Sequence, residues 1–251
     1  MGTKTEIDWN RLDYLGFARL AEDASLSKYE KIGFPDSYRA GHEEAIFADI
    51  KAKLPRLTER GLTVVDIGPG CSDLPRMIIE LCRAQGHRLH LIDSEPMLRQ
   101  LPDESFIEKR AGLFPRDRQI VSDLKGRVDV IICYSVLHYV FVDANSFDFI
   151  DLAVELMAPG GEFLIGDIPN VSKRRRFFAS AAGVAFHKAF TGTDTMPDVQ
   201  VNAPAIGIID DAVILALLAH ARAAGVDAYV VPQPPKLPMS NRREDILLRK
   251  F

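Results

Sequence analysis

The residues with most chemical potential cluster in VVDIGPGCSDLPRMIIELC, positions 64–82. Asp66 closes an apolar run, Gly68 and Gly70 flank Pro69, and Ser72-Asp73 open a helical pattern. Glycine lets the backbone turn sharply and approach a ligand, and the helix that follows offers free N–H groups. Asp93 ends the next apolar run twenty-five residues after Gly68. An acid at that place can accept hydrogen bonds from both hydroxyls of a ribose, so the pair of features points to an adenosine-containing cofactor. A nicotinamide fingerprint wants a small residue sixth in the turn, where this chain has Asp73. Asp73 and Asp66 would repel a pyrophosphate but suit a ligand carrying an ammonium and a sulfonium. No GxxxxGK[ST] occurs, which disfavours a nucleotide triphosphatase.

Further candidates stand at the ends of later apolar runs: Tyr134, Ser135, His138 and Tyr139 after 128–133, then Asp167 and Asn170 at the end of 162–168. His138 is the preferred general base because imidazole titrates near neutrality, with Asp167 and His187 as rivals; packing is the bland role for His138. A magnesium-assisted reaction would need an acid where Cys133-Tyr134 stand, and Asp167 with Asn170 makes a poor magnesium site, so no metal is expected. Lys173, Arg174, Arg175 and Arg176 precede Phe177-Phe178, with His187 and Lys188 beyond. This reads either as a solvated helix face or as a lid that grips anions. Arg242 and Arg243 belong to a loop at the same sheet edge, and two basic groups on one rim favour an acidic or phosphorylated small substrate bound with Tyr139 and Asn170.

These residues need elements to hold them. From residue 62 onward, short apolar runs alternate with helical patterns: strands over 62–67, 88–92, 105–109, 128–133, 162–168, 226–231 and 244–249. Leu74, Met77, Ile78, Leu81 and Cys82 recur with helical spacing; further helices are predicted near 95–101, 144–157 and 210–224. Pro159-Gly160-Gly161 should end the second of these. Repeated β-α-β order implies an α/β fold with a mainly parallel sheet. The last two strands are joined by PQPPKLPMSNR, with no helix, which requires one antiparallel strand. The domain reading is a helical N-terminal cap over 1–60, where Asp36-Ser37 caps a helix carrying Phe47, Ile50 and Leu54. A main domain over 61–251 follows, interrupted by a lid at 171–207 that leaves the ligand edge of the sheet.

Composition sets outer bounds. Of 251 residues, 47% are hydrophobic and 26% charged, which suits a globular α/β chain. Lys plus Arg is 31 against 35 for Asp plus Glu, a net charge of -4, which argues against a nucleic-acid partner. The apolar run 212–219 is too short to span a bilayer, and MGTKTEIDWN has no apolar signal region, so no membrane partner and a cytoplasmic location are expected. The 3 cysteines lack CxxC spacing, so no zinc site follows, and Cys82 and Cys133 read as core residues.

Four segments in order carry a resemblance. DIGPG resembles motif I of class I S-adenosylmethionine-dependent methyltransferases, LIDSEPML their second motif, DVIICYSVLHYV their fourth, and LMAPGGEFLIGDIP the helix-turn-strand after it. A reversed last strand is also a mark of that family, and the similarity spans 60–168 and 208–251. It implies a Rossmann-like fold with seven strands and S-adenosylmethionine as cofactor. Asp66, Gly68, Pro69 and Gly70 would then line its methionine moiety, with Asp93 at the ribose and Ser94 and Met97 beside the adenosine. Tyr134 and Ser135 would lie along the cofactor, and Arg39 would pair with its carboxylate. Many members have an acid at the adenine; here KRAGLFP offers Gly112 and Leu113, hence backbone and apolar contacts. Ser72 replaces a common third glycine. DIPN-SKRRRFF with LPMSNRRED resembles, more loosely, methyltransferases linked to bacterial surface-polysaccharide and sugar-nucleotide pathways, which implies a sugar hydroxyl as acceptor. Two alternatives stand beside it. One is an N- or carboxyl-methyltransferase of another small metabolite; the other is a cofactor-binding regulatory or scaffold protein without turnover. Nucleic-acid methyltransferases are disfavoured by the absence of an NPPY-type motif, and a homodimer is compatible with the sequence.

Overall fold

The computed structural model describes residues 12–116, 118–200 and 207–251. The first eleven residues of the cap and 201–206 of the lid therefore lie outside the described residues. Its centre is one sheet of β1 (Thr63–Ile67), β2 (Arg88–Asp93), β3 (Ile107–Ala111), β4 (Val128–Tyr134), β5 (Met157–Pro169), β6 (Asp227–Val231) and β7 (Arg243–Arg249). The spatial order is β3-β2-β1-β4-β5-β7-β6. β1 pairs parallel with β2 and β4, β2 with β3, and β4 with β5; β7 runs antiparallel to both β5 and β6. The chain goes outward from β1 on one side and returns to start β4 on the other. That reversal opens a crevice beyond the carboxyl ends of β1 and β4.

Helices cover both faces, as a parallel sheet requires. They are α1 (Tyr14–Glu22), α2 (Asp36–Arg39), α3 (Glu43–Lys53), α4 (Asp73–Gln85), α5 (Glu95–Leu98), α6 (Arg118–Leu124), α7 (Leu137–Asp143), α8 (Ser146–Leu156), α9 (Val171–Phe178), α10 (Ala181–Thr191) and α11 (Asp211–Ala223). Alternate strand residues divide between two cores. Val65, Ile131, Cys133, Phe163 and Ile165 pack under α6, α8 and α11; Val64, Val130, Ile132 and Leu164 pack under α3 and α4. Ile46, Ile50 and Leu54 belong to the second core, so the segment before β1 is joined to the sheet through buried apolar contact.

The sequence predicts one helix capped at Asp36-Ser37. The chain instead breaks at Gly41, whose φ of 79° is left-handed, leaving the short α2 ahead of α3. Asp36 lies in the first turn of α2, where its carboxylate accepts from the Ser27 hydroxyl at 2.5 Å. Strand pairing in β5 begins at Met157, ahead of Pro159-Gly160-Gly161, and a register shift opposite Val128 and Val130 absorbs that turn. Within the segment predicted as a lid, α9 and α10 form a helical pair. Asn170 starts α9 by accepting from the Lys173 amide at 3.1 Å, and Ser180 starts α10 by accepting from the Gly183 amide at 3.1 Å.

Candidate active site

The crevice at the β1–β4 reversal is a narrow cleft of about 130 Å³. Its floor is Asp66, Ile67, Gly68, Pro69 and Gly70; Asp93, Met97, Gly112, Leu113, Tyr134, Ser135 and Arg39 complete most of the predicted cofactor set. Ser94 is the exception. It is buried at the start of α5, where its backbone amide donates to Asp93 Oδ1 at 2.6 Å, and it does not line the cleft. The turn after β1 has the left-handed glycines its sequence requires, φ 69° at Gly68 and 67° at Gly70. A Cβ on Gly68 would meet Val136 Cγ2 at 2.5 Å, and one on Gly70 would meet Ile32 Cγ2 at 2.6 Å, so neither position has room for a side chain.

Electrostatics distinguish the cleft. Asp93 is held by the Gly70 amide at 3.0 Å as well as by Ser94, yet burial pushes its carboxyl up to about 6. Asp66 is 3% exposed, its carboxyl has no hydrogen-bond partner among the described residues, and that carboxyl is pushed up to about 8, first by burial and then by the charge of Asp93. Two buried carboxyls that face one cleft, neither paired with a cation among the described residues, suit a positively charged ligand. Asp73, grouped with Asp66 on the sequence alone, belongs elsewhere: it pairs with Lys28 and accepts from the Tyr29 hydroxyl at 3.3 Å, outside the cleft lining.

At the β4 end, Ser135 has φ 62° and Asp167, at the β5 end, has φ 58°. Non-glycine residues rarely adopt this strained conformation except where surrounding contacts hold them. The Ser135 hydroxyl donates to Asp167 Oδ2 at 2.6 Å and accepts from Arg39 Nη2 at 2.9 Å. Arg39 is buried, with its guanidinium 4.5 Å from the Phe34 ring centre. The Asp167 amide donates to Asp245 Oδ1 at 2.7 Å, and Lys53 bridges Asp245 and Asp49 at 2.6 and 2.5 Å. Ser135 faces the cleft and Asp167 stands behind it.

The other predicted residues divide. Tyr139 lines the cleft, while His138 does not; its ring lies 4.0 Å from that of Tyr139, and burial, aided by the Arg243 charge, lowers its pKa to about 3. Asn170 is 1% exposed and spends its amide on Asp211 and Glu244 at 2.8 and 2.7 Å. Lys173 donates to the Arg243 carbonyl at 2.6 Å, and Arg243 donates to the Asp167 carbonyl at 3.2 Å. Arg175 lines neither this cleft nor a second cavity of about 590 Å³, which takes in Arg174, Arg242 and His187. Sequence reasoning missed Tyr14, Phe17, Ile32 and Phe34, which wall the cleft from before β1. Nothing in their local spacing marks a ligand contact. Among the described residues no three His, Cys, Asp or Glu side chains converge as a metal site would, and no helix is long and apolar enough to cross a membrane.

No protein-family profile matches the chain, and no curated protein matches it in sequence. Solved structures do match in architecture. An S-adenosylmethionine-dependent methyltransferase from Archaeoglobus fulgidus aligns with TM-score 0.52 at 13% identity, covering 86% of this chain and 97% of its own. One from Aquifex aeolicus gives 0.51 at 13% identity, covering 96% and 100%. The 1,6-didemethyltoxoflavin-N1-methyltransferase of Burkholderia thailandensis, solved with 1,6-didemethyltoxoflavin and S-adenosylhomocysteine, gives 0.50 at 16% identity, covering 96% and 92%. At such identities the likeness is one of architecture: the chain has the fold of class I S-adenosylmethionine-dependent methyltransferases.

Proposed function

We propose that this protein binds S-adenosylmethionine in the β1–β4 cleft and transfers its methyl group to a small molecule. The observation that carries this is the buried Asp66–Asp93 pair beside the Gly68-Pro69-Gly70 turn, two acids that no cation among the described residues neutralises. The ligand would bring an ammonium, a sulfonium and a ribose, and each answers a group already present. Asp66 would face the positive charges, Asp93 the ribose hydroxyls, and Met97, Gly112 and Leu113 the adenine. Arg39, buried against Phe34 and Tyr134, has its Nε without a partner and could receive the donor's carboxylate.

The finer reading is O-methylation, with a hydroxyl of a sugar or sugar nucleotide as acceptor. The donor supplies an electrophilic methyl group, and the chain must align the acceptor and take its proton. Ser135 and Asp167 are suited to that: the Ser135 hydroxyl can accept from the acceptor hydroxyl while donating to Asp167, which ends as the proton's holder. Arg39 fixes the rotamer of Ser135 by donating to it. Asp167 takes the role because it holds the Ser135 hydroxyl at 2.6 Å, whereas His138 lies outside the cleft lining with its ring packed against Tyr139. His187, in the second cavity, stands with the acceptor rather than with the proton.

The test has two steps. Calorimetric titration with S-adenosylmethionine and S-adenosylhomocysteine should show one site per chain; no uptake of either overturns the reading. A methyl-transfer screen over nucleotide sugars and other hydroxyl-bearing metabolites should then yield product. Uptake without turnover on any acceptor favours a regulatory or scaffold role. Turnover that survives loss of Asp167 points to a carboxylate or amine acceptor that needs no base.

A further inference from the structure

The second cavity is walled by three segments far apart in sequence: Ser37, Tyr38 and His42 around α2, α9 and α10 of the lid, and the loop between β6 and β7. Its lining contains Arg174, Arg242, Lys236, His42 and His187 and no Asp or Glu among the described residues. Surface arginines usually find carboxylates, as Arg176 does with the neighbouring Asp211. Arg174 and Arg242 make no side-chain hydrogen bond or ion pair among the described residues. Arg174 lies against the Phe178 ring, 5.1 Å from its centre. Burial and the charges of Arg243 and Arg174 act together to depress the Arg242 pKa, so the cavity holds like charges close together and partly dry. An aromatic surface adjoins Arg174, for Phe178 lies 6.2 Å from Phe186 between ring centres. Phe186 and Phe190 stack with centroids 6.1 Å apart and are 40% and 66% exposed, an apolar surface that a ligand ring would cover. Asn241 adds a buried carbonyl oxygen with no partner.

We propose that this cavity binds a phosphate ester or diphosphate whose phosphate is gripped by Arg174 and Arg242 and whose ring lies against Phe186 and Phe190. This rests on the methyl-transfer reading in one respect: it makes that anion the methyl acceptor. Guanidinium pairs match phosphate oxygens bidentately, and a donor on the ligand would satisfy Asn241. The position suits such a role. The Arg242 carbonyl accepts from the Asn170 amide at 3.0 Å, and Arg243 donates to the Asp167 carbonyl, so the loop that presents Arg242 is fastened to the end of β5. The α2 segment touches both sites, since Arg39 lines the cleft while Tyr38 and the nearby His42 line the cavity.

The probes are uridine diphosphate, inorganic pyrophosphate and neutral uridine, titrated calorimetrically into the full chain with S-adenosylhomocysteine as a parallel ligand. Uridine diphosphate should bind more tightly than pyrophosphate, and uridine weakly or not at all. Arg174→Gln and Arg242→Gln should each weaken uridine diphosphate by roughly 10-fold or more while leaving S-adenosylhomocysteine uptake within about twofold. Arg174 is exposed, so its variant keeps the test intact if the half-buried Arg242 variant folds poorly. Binding of S-adenosylhomocysteine but of neither phosphate compound overturns the cavity assignment alone. Undiminished uridine diphosphate binding in the Arg174→Gln/Arg242→Gln double variant overturns it equally. Phosphate binding without S-adenosylhomocysteine uptake keeps the site and overturns the methyl-transfer reading.

Discussion

The two hollows at the carboxyl edge of the sheet are opposites. The cleft is narrow, acidic and built from strand ends; the second cavity is several times larger, basic, and built from helices and a loop that interrupt the fold. Asp66 and Asp93 sit at the ends of adjacent paired strands, so their separation is fixed by the β1–β2 ladder. Arg174 and Arg242 are held by tertiary packing between a lid helix and a hairpin loop. The contrast matches two binding tasks: a cationic donor that must be placed to within a fraction of an ångström, and an acceptor whose charged end needs only to be anchored. Between them stand Ser135 and Asp167, tied to the cleft through Arg39 and to the cavity's loop through Arg243.

The largest expected effect is therefore at that boundary. Asp167→Asn keeps the shape but removes the proton's destination, and kcat for a hydroxyl acceptor should fall by roughly 10²–10⁴. Uptake of S-adenosylhomocysteine and of uridine diphosphate should both persist, because the residue lines neither hollow. A kcat within a few-fold of the unaltered protein would remove Asp167 from the reaction.

Next comes the acidic side alone. Asp93→Ala removes the acceptor proposed for the ribose hydroxyls and also frees the Gly70 amide it holds. Charge-assisted hydrogen bonds contribute about 1.5–3 kcal/mol each, so S-adenosylhomocysteine affinity should drop about 100-fold. Phosphate binding in the other cavity should not change. If both affinities fell together, the independence of the two hollows would be lost.

How legible these hollows are in the sequence follows the same division. The cleft can be read because its acids and glycines lie in two short segments whose strand-turn-helix order forces them together. The apolar face of α4 follows from hydrophobic spacing, and the reversed β7 from the helix-free connection PQPPKLPMSNR, whereas the strand order does not follow from local spacing. The cavity is legible only as two basic clusters, since spacing cannot say which arginine turns inward. Arg174 and Arg242 reach it, while Lys173 donates to the Arg243 carbonyl and Arg243 turns to Asp167, donating to its carbonyl and lying 3.8 Å from its carboxylate. Nor can spacing show the Lys53–Asp245 pair beneath Asp167, whose members are 192 positions apart. The break between α2 and α3 is hidden for another reason: a glycine within a helical segment can be tolerated, and the left-handed backbone at Gly41 is what shows the chain turning there.

A smaller effect sharpens the charge contrast. Asp66 is ordinarily ionised above about 4 in an unfolded chain, but folding raises its pKa to about 8. Between these values the folded state holds more protons than the unfolded one, so stability contributed at this site falls as pH rises through about 4–8. A cationic donor favours the ionised carboxyl, so its affinity should climb from about pH 6 to about pH 8 with release of a proton. Asp66→Asn should flatten that climb and raise the melting temperature of the ligand-free protein at about pH 8. Calorimetry in buffers of different ionisation enthalpy counts the proton. An unchanged slope in the variant would mean that Asp66 does not meet the donor's charge.

The smallest effect is expected at His138, the residue whose type alone suggests a base. Its ring is packed against Tyr139, its Nδ1 is buried without a partner, and the nearby Arg243 charge reinforces the burial that holds the imidazole neutral. The ring lies outside the cleft lining, while the Ser135 hydroxyl that faces the cleft donates to Asp167 instead. His138→Gln should accordingly change kcat by no more than about threefold. It should also lower the melting temperature by a few degrees, because a packed ring is lost from beside the cleft. Rate and uptake together separate this from catalysis: kcat should hold in the His138 variant and fall in Asp167→Asn, with donor uptake intact in both. If His138→Gln instead abolished turnover while donor uptake stayed intact, the proton would leave through the imidazole, and Ser135 with Asp167 would be left to position it.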